Sequence, residues 1–369
     1  MQVRKMARHL NPLKWTPRVR KYASVGALGV VLAGNAVWIS HNVLQRRLDR
    51  KTTIDFVFGE HSGWKATNTI APLLEEAKRS GKPYKFMVME SSDTDRNGRK
   101  KWEADLNWVA SQIKIRTNGE SILRDLTKMQ TSRTNLTEAD RKNAIFNIEE
   151  IVLAAKYGLV LKVGEEYPKA DIAKMSHEVT NALFQIHLSR PYSTPQQIRA
   201  EISANASKFQ KYIDKRNAAI AKVTGNAAAE IRKDVPSLRD EELRGIMHLG
   251  SYHIGTDSIM LKKRPGMNIT RTLHKNPNKS SLVSLSMEEI VFSGKRLDSK
   301  GSVDRLAIAG MLEIGYSNYL EHNMERAQEL SRKILALEEI EAAKIMSRVR
   351  KMDWIDARVA IENMLLGTK

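Results

Sequence analysis

The chain has 369 residues, 28% of them charged and 41% hydrophobic, the balance of a globular protein and not of a disordered or fibrous one. It contains no cysteine, which excludes thiol catalysis, disulfides and thiolate-held metals, so a metal site must draw on His, Asp and Glu. The net charge is +19, yet Arg4, Lys5, Arg8, Lys14, Arg18, Arg20 and Lys21 crowd the first 21 residues and the other cations are interleaved with acids. With no aromatic–basic RNA motif, nucleic acid is not the expected partner.

The basic segment 1–21 runs into "YASVGALGVVLAGNAVWIS" (22–40), which carries no charge. Its length is near the lower limit for a membrane-spanning helix. The cations before it outnumber those that follow at Arg46, Arg47, Arg50 and Lys51. Positive-inside logic therefore leaves the N-terminus cytoplasmic and the main domain on the far side, periplasmic, extracellular or lumenal. An uncleaved signal anchor is the favoured reading. A signal peptide cleaved after Gly34-x-Ala36, a buried helix and an organelle-targeting segment are the alternatives.

After a linker (41–51), "TTIDFVFGEHSG" reads as a strand with Ile54, Phe56 and Phe58 on one face and Gly59 at its end. "WKATNTIAPLLEEAKRSG" reads as a helix closed by Gly81, with Pro72 disturbing its first half. "KPYKFMVMESSD" is a second strand, continuously apolar from Phe86 to Met89 as in a strand covered on both faces. Strand, helix and strand at this spacing predict a βαβ unit with parallel pairing. Residues 100–225 show helical spacing throughout and predict a large helical insertion, with Gly158 as one stop. Strand character returns over 243–255, a short helix follows through "TDSIMLKK", and "SSLVSLSMEEIVF" (280–292) reads as a further strand. From Ser302 the chain reads as helical to its end. The expected fold of residues 52–369 is therefore α/β, a mainly parallel sheet with a helical insertion and C-terminal helices.

In an open parallel sheet ligands bind beyond the carboxyl ends of the strands. Those ends supply Gly59-Glu60-His61-Ser62, Glu90 and Gly250-Ser251-Tyr252-His253. Imidazole beside carboxylate serves proton transfer and metal binding alike. His248 falls inside its strand and reads as a packing residue. His253, Glu90 and Arg216 each have a plain structural alternative as a turn histidine, a helix cap and a surface cation.

These segments, "VFGEHSG", "FMVME", "DKRNAAIA" with Arg216 and Asn217, and "HLGSYHIG" with Gly250 and His253, are similar in order and spacing to a known pattern. They resemble the superfamily of TraB and TIKI-type metalloproteases, erythromycin esterases and ChaN-like haem-binding lipoproteins. The resemblance covers roughly 52–92 and 205–292. It implies a hydrolase of a small-molecule or peptide substrate, cleaving an ester or amide bond, which the anchor read from residues 22–40 would hold at a membrane. In that family role Glu60, Glu90 and His253 activate water and Arg216 stabilises the developing anion. His61, Glu90 and His253 become candidate ligands of a divalent metal ion. A non-catalytic haem or ligand binder and a structural membrane-envelope scaffold are the alternatives, because a fold alone does not define a reaction. The chain departs from the pattern in one place: Ser62 stands where the family has its first histidine, and His61 comes one residue earlier.

Overall fold

The computed structural model describes residues 43–59, 66–90, 95–115, 138–167, 194–274, 281–316 and 324–367. The expected anchor (22–40), Glu60, His61 and Ser62 lie outside the described residues, and no described helix is long and apolar enough to cross a membrane. The chain divides into two units, Met1–Lys51 and Thr52–Lys369. The described part of the first contains a helix over 43–50.

The second unit is built on five strands: β1 (Thr52–Gly59), β2 (Phe86–Met89), β3 (Val160–Val163), β4 (Leu243–Gly250) and β5 (Asn268–Leu273). Their order is β3-β2-β4-β1-β5 and every pairing is parallel. Between β1 and β2 come α1 (Ala66–Thr69) and α2 (Ala71–Arg79), with Pro72 at the start of α2 where the expected single helix breaks. Gly81 closes α2 with φ +72, a conformation most side chains resist. Next come α3 (Arg96–Ile115), α4 (Glu138–Tyr157) and, after β3, the 40-residue α5 (Pro195–Asp234). Thr194 starts α5 with a reciprocal cap: its Oγ1 accepts the Gln197 N–H at 3.3 Å, and Gln197 Oε1 accepts the Thr194 N–H at 2.9 Å. The chain continues through α6 (Thr256–Lys263), α7 (Leu282–Phe292), α8 (Lys300–Tyr316), α9 (Met324–Ala336), α10 (Glu339–Val349) and α11 (Trp354–Leu366).

Alternation along the strands divides the core. Phe56, Phe58, Val88, Met247 and Leu249 pack with Ile220, Ala227 and Ile231 of α5 and Met260 of α6. Val57, Met87, Met89 and Ile246 pack on the other face with Ala66 of α1, Ile70 between α1 and α2, Leu74 of α2 and Ala154 of α4. Both faces of the central strands are therefore dry, which is why β1 and β2 read as near-continuous apolar runs. A third core joins the first half of α5 to the C-terminal helices through Ile202, Phe209, Leu306, Ile334 and Ile361.

Four expectations need correction. β1 and β2 are not neighbours, because β4 pairs with both of them. Gly245 of β4 makes that close approach possible: a Cβ there would lie 2.1 Å from Phe86 Cζ. Residues 100–225 are not wholly helical, since β3 lies inside them on the sheet edge. Residues 280–292 hold a helix, α7, and not a strand. Buried residues such as Leu282, Val283, Glu288 and Val291 occur all round it, so its sequence has no one-sided period. Ser281 caps it by accepting the Ser284 N–H at 3.1 Å. Finally, β4 stops at Gly250, and Ser251–His253 form a single 3-10 turn.

Candidate functional site

β3, β2 and β4 are adjacent, so their carboxyl ends open on one rim. Glu90 follows the last residue of β2, and Glu165 comes two residues after β3. Gly164 brings them together: its N–H donates to Met89 O at 2.8 Å, and a Cβ there would meet Met247 Cε at 2.6 Å and Met89 O at 3.0 Å. His253 is presented by the 3-10 turn after β4, while α5 contributes Arg216 and Asn217 on successive residues.

These side chains form one bonded cluster. Arg216 Nη2 donates to Glu90 Oε1 at 2.9 Å, and Nε donates to Glu165 Oε2 at 3.0 Å. Nη2 also donates to Glu165 Oε1, which makes the guanidinium–Glu165 pair bidentate. Glu165 further accepts from the Tyr167 hydroxyl. The second oxygen of Glu90, Oε2, accepts the Gly250 N–H at 2.8 Å, and Oε1 lies 3.3 Å from His253 Nε2. His253 Nδ1 lies 2.6 Å from Asn217 Oδ1. An amide oxygen only accepts, so Nδ1 carries the hydrogen and Nε2 faces the carboxylate. The Glu90 carboxylate and the His253 imidazole therefore face each other directly.

Burial and charge act together here. The Glu165 side chain is fully buried, and burial raises its pKa although Arg216 works against the rise. Burial disfavours the charge on Arg216, but the Glu165 and Glu90 carboxylates overcome it and raise its pKa. Burial, then the Glu165 charge, also raises the Tyr167 phenol. Glu150 on α4 is 1% exposed, and burial, reinforced by the Glu90 charge, pushes its carboxyl well above the ordinary range. The Glu90 and Arg216 side chains keep 15% and 13% of their surface exposed, so they are the members an incoming molecule can reach.

A buried ionic lattice supports this rim. Arg99 donates to Glu103 at 2.7 Å, to Glu166 at 3.1 Å and to Glu230 at 3.0 Å. Lys162 of β3 reaches Glu103 Oε2 and Glu230 Oε2, each at 3.0 Å. Glu103 Oε1 also accepts the Val163 N–H at 3.1 Å. The lattice ties α3 and α5 to β3 and holds Glu166, the residue after Glu165.

Of the expected residues, Glu90, Arg216 and His253 meet in the cluster. Glu60 and His61 lie outside the described residues. Sequence reasoning passed over Glu165 and Tyr167, and took Asn217 as part of a motif without giving it a role. A signal was present: "LKVGEE" repeats the apolar strand and Gly-Glu ending of "FVFGEH".

At Glu90 and His253 a divalent cation would face Arg216, because Glu90 Oε1 is already held by its guanidinium; the third expected ligand, His61, lies outside the described residues. His253 does not suit haem iron, because its two nitrogens face Asn217 and Glu90.

Together the fold and the cluster define an α/β protein with a parallel sheet and a carboxylate–imidazole–guanidinium site at the carboxyl rim. No protein-family model, curated protein sequence or solved structure matches the chain.

Proposed function

We propose that the chain is a membrane-anchored hydrolase-like protein that cleaves an ester or amide bond of a small-molecule or peptide substrate at the Glu90–His253–Arg216 cluster. The observation that carries the reading is the 3.3 Å contact of Glu90 Oε1 with His253 Nε2, beside a guanidinium at the open rim of a parallel sheet. Glu90 takes a proton from water as the water oxygen attacks the carbonyl carbon. His253 Nε2 accepts that proton in turn, its ring held by Asn217 through Nδ1, and returns it to the leaving oxygen or nitrogen. Arg216 uses Nε and Nη2 to hold the two carboxylates, which leaves Nη1 outside those bonds to meet the developing oxyanion. No step requires a metal.

The test is turnover of a panel of chromogenic esters and amides by the full chain, by Glu90→Gln and by His253→Asn. The reading expects activity in the parent and a fall of about 100-fold or more in each variant. Equal turnover in all three would remove it.

A second reading, a binder without catalysis, is favoured by the engagement of both His253 nitrogens within the protein. Under it, ligand binding persists in Glu90→Gln and no substrate of the panel is turned over. The anchor reading of residues 22–40 supports the membrane assignment, and extraction of the full chain by alkaline carbonate would contradict it.

A further inference from the structure

The two sides of α3 differ sharply in what they meet. Arg99, Glu103, Leu106 and Ala110 recur at helical spacing and are all buried, the first two in the ionic lattice and the last two in the core with Met87 and Leu161. The opposite line of the helix runs through Lys101, Ala104, Trp108 and Ser111, which are all exposed. Trp108 is 65% exposed, although an indole carries one of the largest apolar surfaces of any side chain. Its neighbours along that line, Ala104 and Ser111, are small and leave the ring uncovered.

The charge around this ring is one-sided. Arg96, Lys100, Lys101 and Lys114 are exposed on the same helix, and none of the four forms an ion pair with any described residue. Asp105, an exposed acid, and Trp102, 50% exposed, lie to one side of the Trp108 line. A second group of exposed apolar residues, Met352, Ile355 and Val359 on and before α11, is built differently. It is set among Lys351, Asp353, Asp356 and Arg358, whose charges cancel. An uncovered aromatic ring among unpaired cations is peculiar to α3 of these two surfaces.

We infer that the outer face of α3 docks on an anionic phospholipid surface, with Trp108 entering the headgroup layer and Lys100 and Lys101 meeting lipid phosphates. Indole favours that layer because its apolar body leaves water while its N–H keeps a polar partner. Lysines beside it add the attraction of anionic headgroups, and their long stems let the ammonium groups stay with the phosphates as the ring sinks. An apolar protein groove would accept the indole and leave these cations unanswered. The contact uses no residue of the Glu90 cluster and none of residues 22–40, so it is independent of the hydrolase reading and of the anchor.

Because the chain contains no cysteine, a single introduced thiol can be labelled cleanly. Ala104→Cys, carrying an environment-sensitive fluorophore in the full chain, reports on the α3 face one turn from Trp108, and Val359→Cys on α11 is the control. Each is reconstituted with vesicles of phosphatidylcholine alone or of phosphatidylcholine with phosphatidylglycerol. The label at position 104 is expected to shift to the blue with phosphatidylglycerol only, and to return toward its aqueous emission in about 1 M salt. The label at position 359 is expected not to move. Lys100→Gln with Lys101→Gln, and separately Trp108→Ser, should each lose most of the shift. All three positions are exposed, and unchanged melting temperatures show that the variants fold. An unshifted label at 104 in phosphatidylglycerol vesicles would overturn the inference. So would an equal shift on phosphatidylcholine alone, an equal shift at 359, or a full shift in either variant. A blue shift that grows with protein concentration in the absence of lipid would assign the face to a second copy of the chain and overturn it too.

Discussion

Arg216 Nη2 lies 2.9 Å from Glu90 Oε1, while Nε of the same guanidinium donates to Glu165 Oε2 at 3.0 Å. One side chain of α5 therefore joins the ends of β2 and β3. Replacing it would leave Glu165, whose side chain is fully buried, without its cation. Arg216→Ala should cost about 3–5 kcal/mol of stability, the usual consequence of breaking a buried pair from one side. Arg216→Lys keeps the charge but loses the two-pronged contact, and should cost less. Adding Glu165→Gln to Arg216→Ala should recover part of the loss. Urea unfolding of the parent, Arg216→Ala, Arg216→Lys, Glu165→Gln and the double variant measures this, and a fully additive double variant would show that the two residues do not interact.

The close approach of β4 and β2 makes a second prediction. Phe86 lies where a side chain on Gly245 would have to go, with Cζ only 2.1 Å from the Cβ position. Gly245→Ala should destabilise the chain by about 1–3 kcal/mol or more, and Phe86→Leu should relieve part of that cost in the double variant. Thermal melts of the three proteins would reveal it. An unchanged Gly245→Ala melt would contradict the pairing of these strands.

Glu150 and Glu230 predict opposite responses to pH. Glu150 is held well above its ordinary pKa by burial and by Glu90, so between its unfolded and folded values the native state binds the extra proton. Its contribution is present in acid and is lost as pH rises through the folded value. Glu150→Gln should therefore raise the melting temperature at pH 8 by about 2–4 °C and flatten the decline from pH 5 to pH 8. Glu230 behaves in the reverse way. Burial works against its charge, but Arg99 and Lys162 bring its pKa below the ordinary value. Its contribution is present at neutral pH and is lost as pH falls through the lowered value, so Glu230→Gln should lose stability at pH 7 and differ least from the parent in strong acid.

The Glu103 lattice predicts a local effect. Glu103 accepts from Arg99, from Lys162 and from the Val163 N–H. Glu103→Ala would leave two buried cations near each other and release an edge strand. Amide hydrogen exchange should accelerate at Val163 well before it does along β1, where pairing on both sides remains.

Much of this arrangement was legible in the sequence, for physical reasons. β1 and β2 declared themselves because both faces of a central parallel strand are apolar. Glu90, Arg216 and His253 stood out as polar residues at the ends of such runs or in a familiar order. β3 was hidden because it is four residues long and carries Lys162 at its centre, a charge that Glu103 and Glu230 neutralise from α3 and α5. β5, "NITRTL", is an edge strand with mostly exposed residues, so it shows little apolar pattern. α7 misled through the opposite property, an all-round burial that leaves strand and helix indistinguishable by period. Glu165 was missed together with β3, for without the strand its carboxylate had no rim to stand on.

The central claim is that Glu90 and His253 act as one acid–base unit on an ester or amide carbonyl. Its most direct measurement is the rate of hydrolysis of a substrate found on the ester and amide panel, compared between the parent, Glu90→Gln and His253→Asn, all shown to be folded by circular dichroism. The account predicts that each single variant loses about 100-fold or more and that the double variant loses little beyond that, as for residues that work as a unit. Undiminished hydrolysis in both single variants would contradict it.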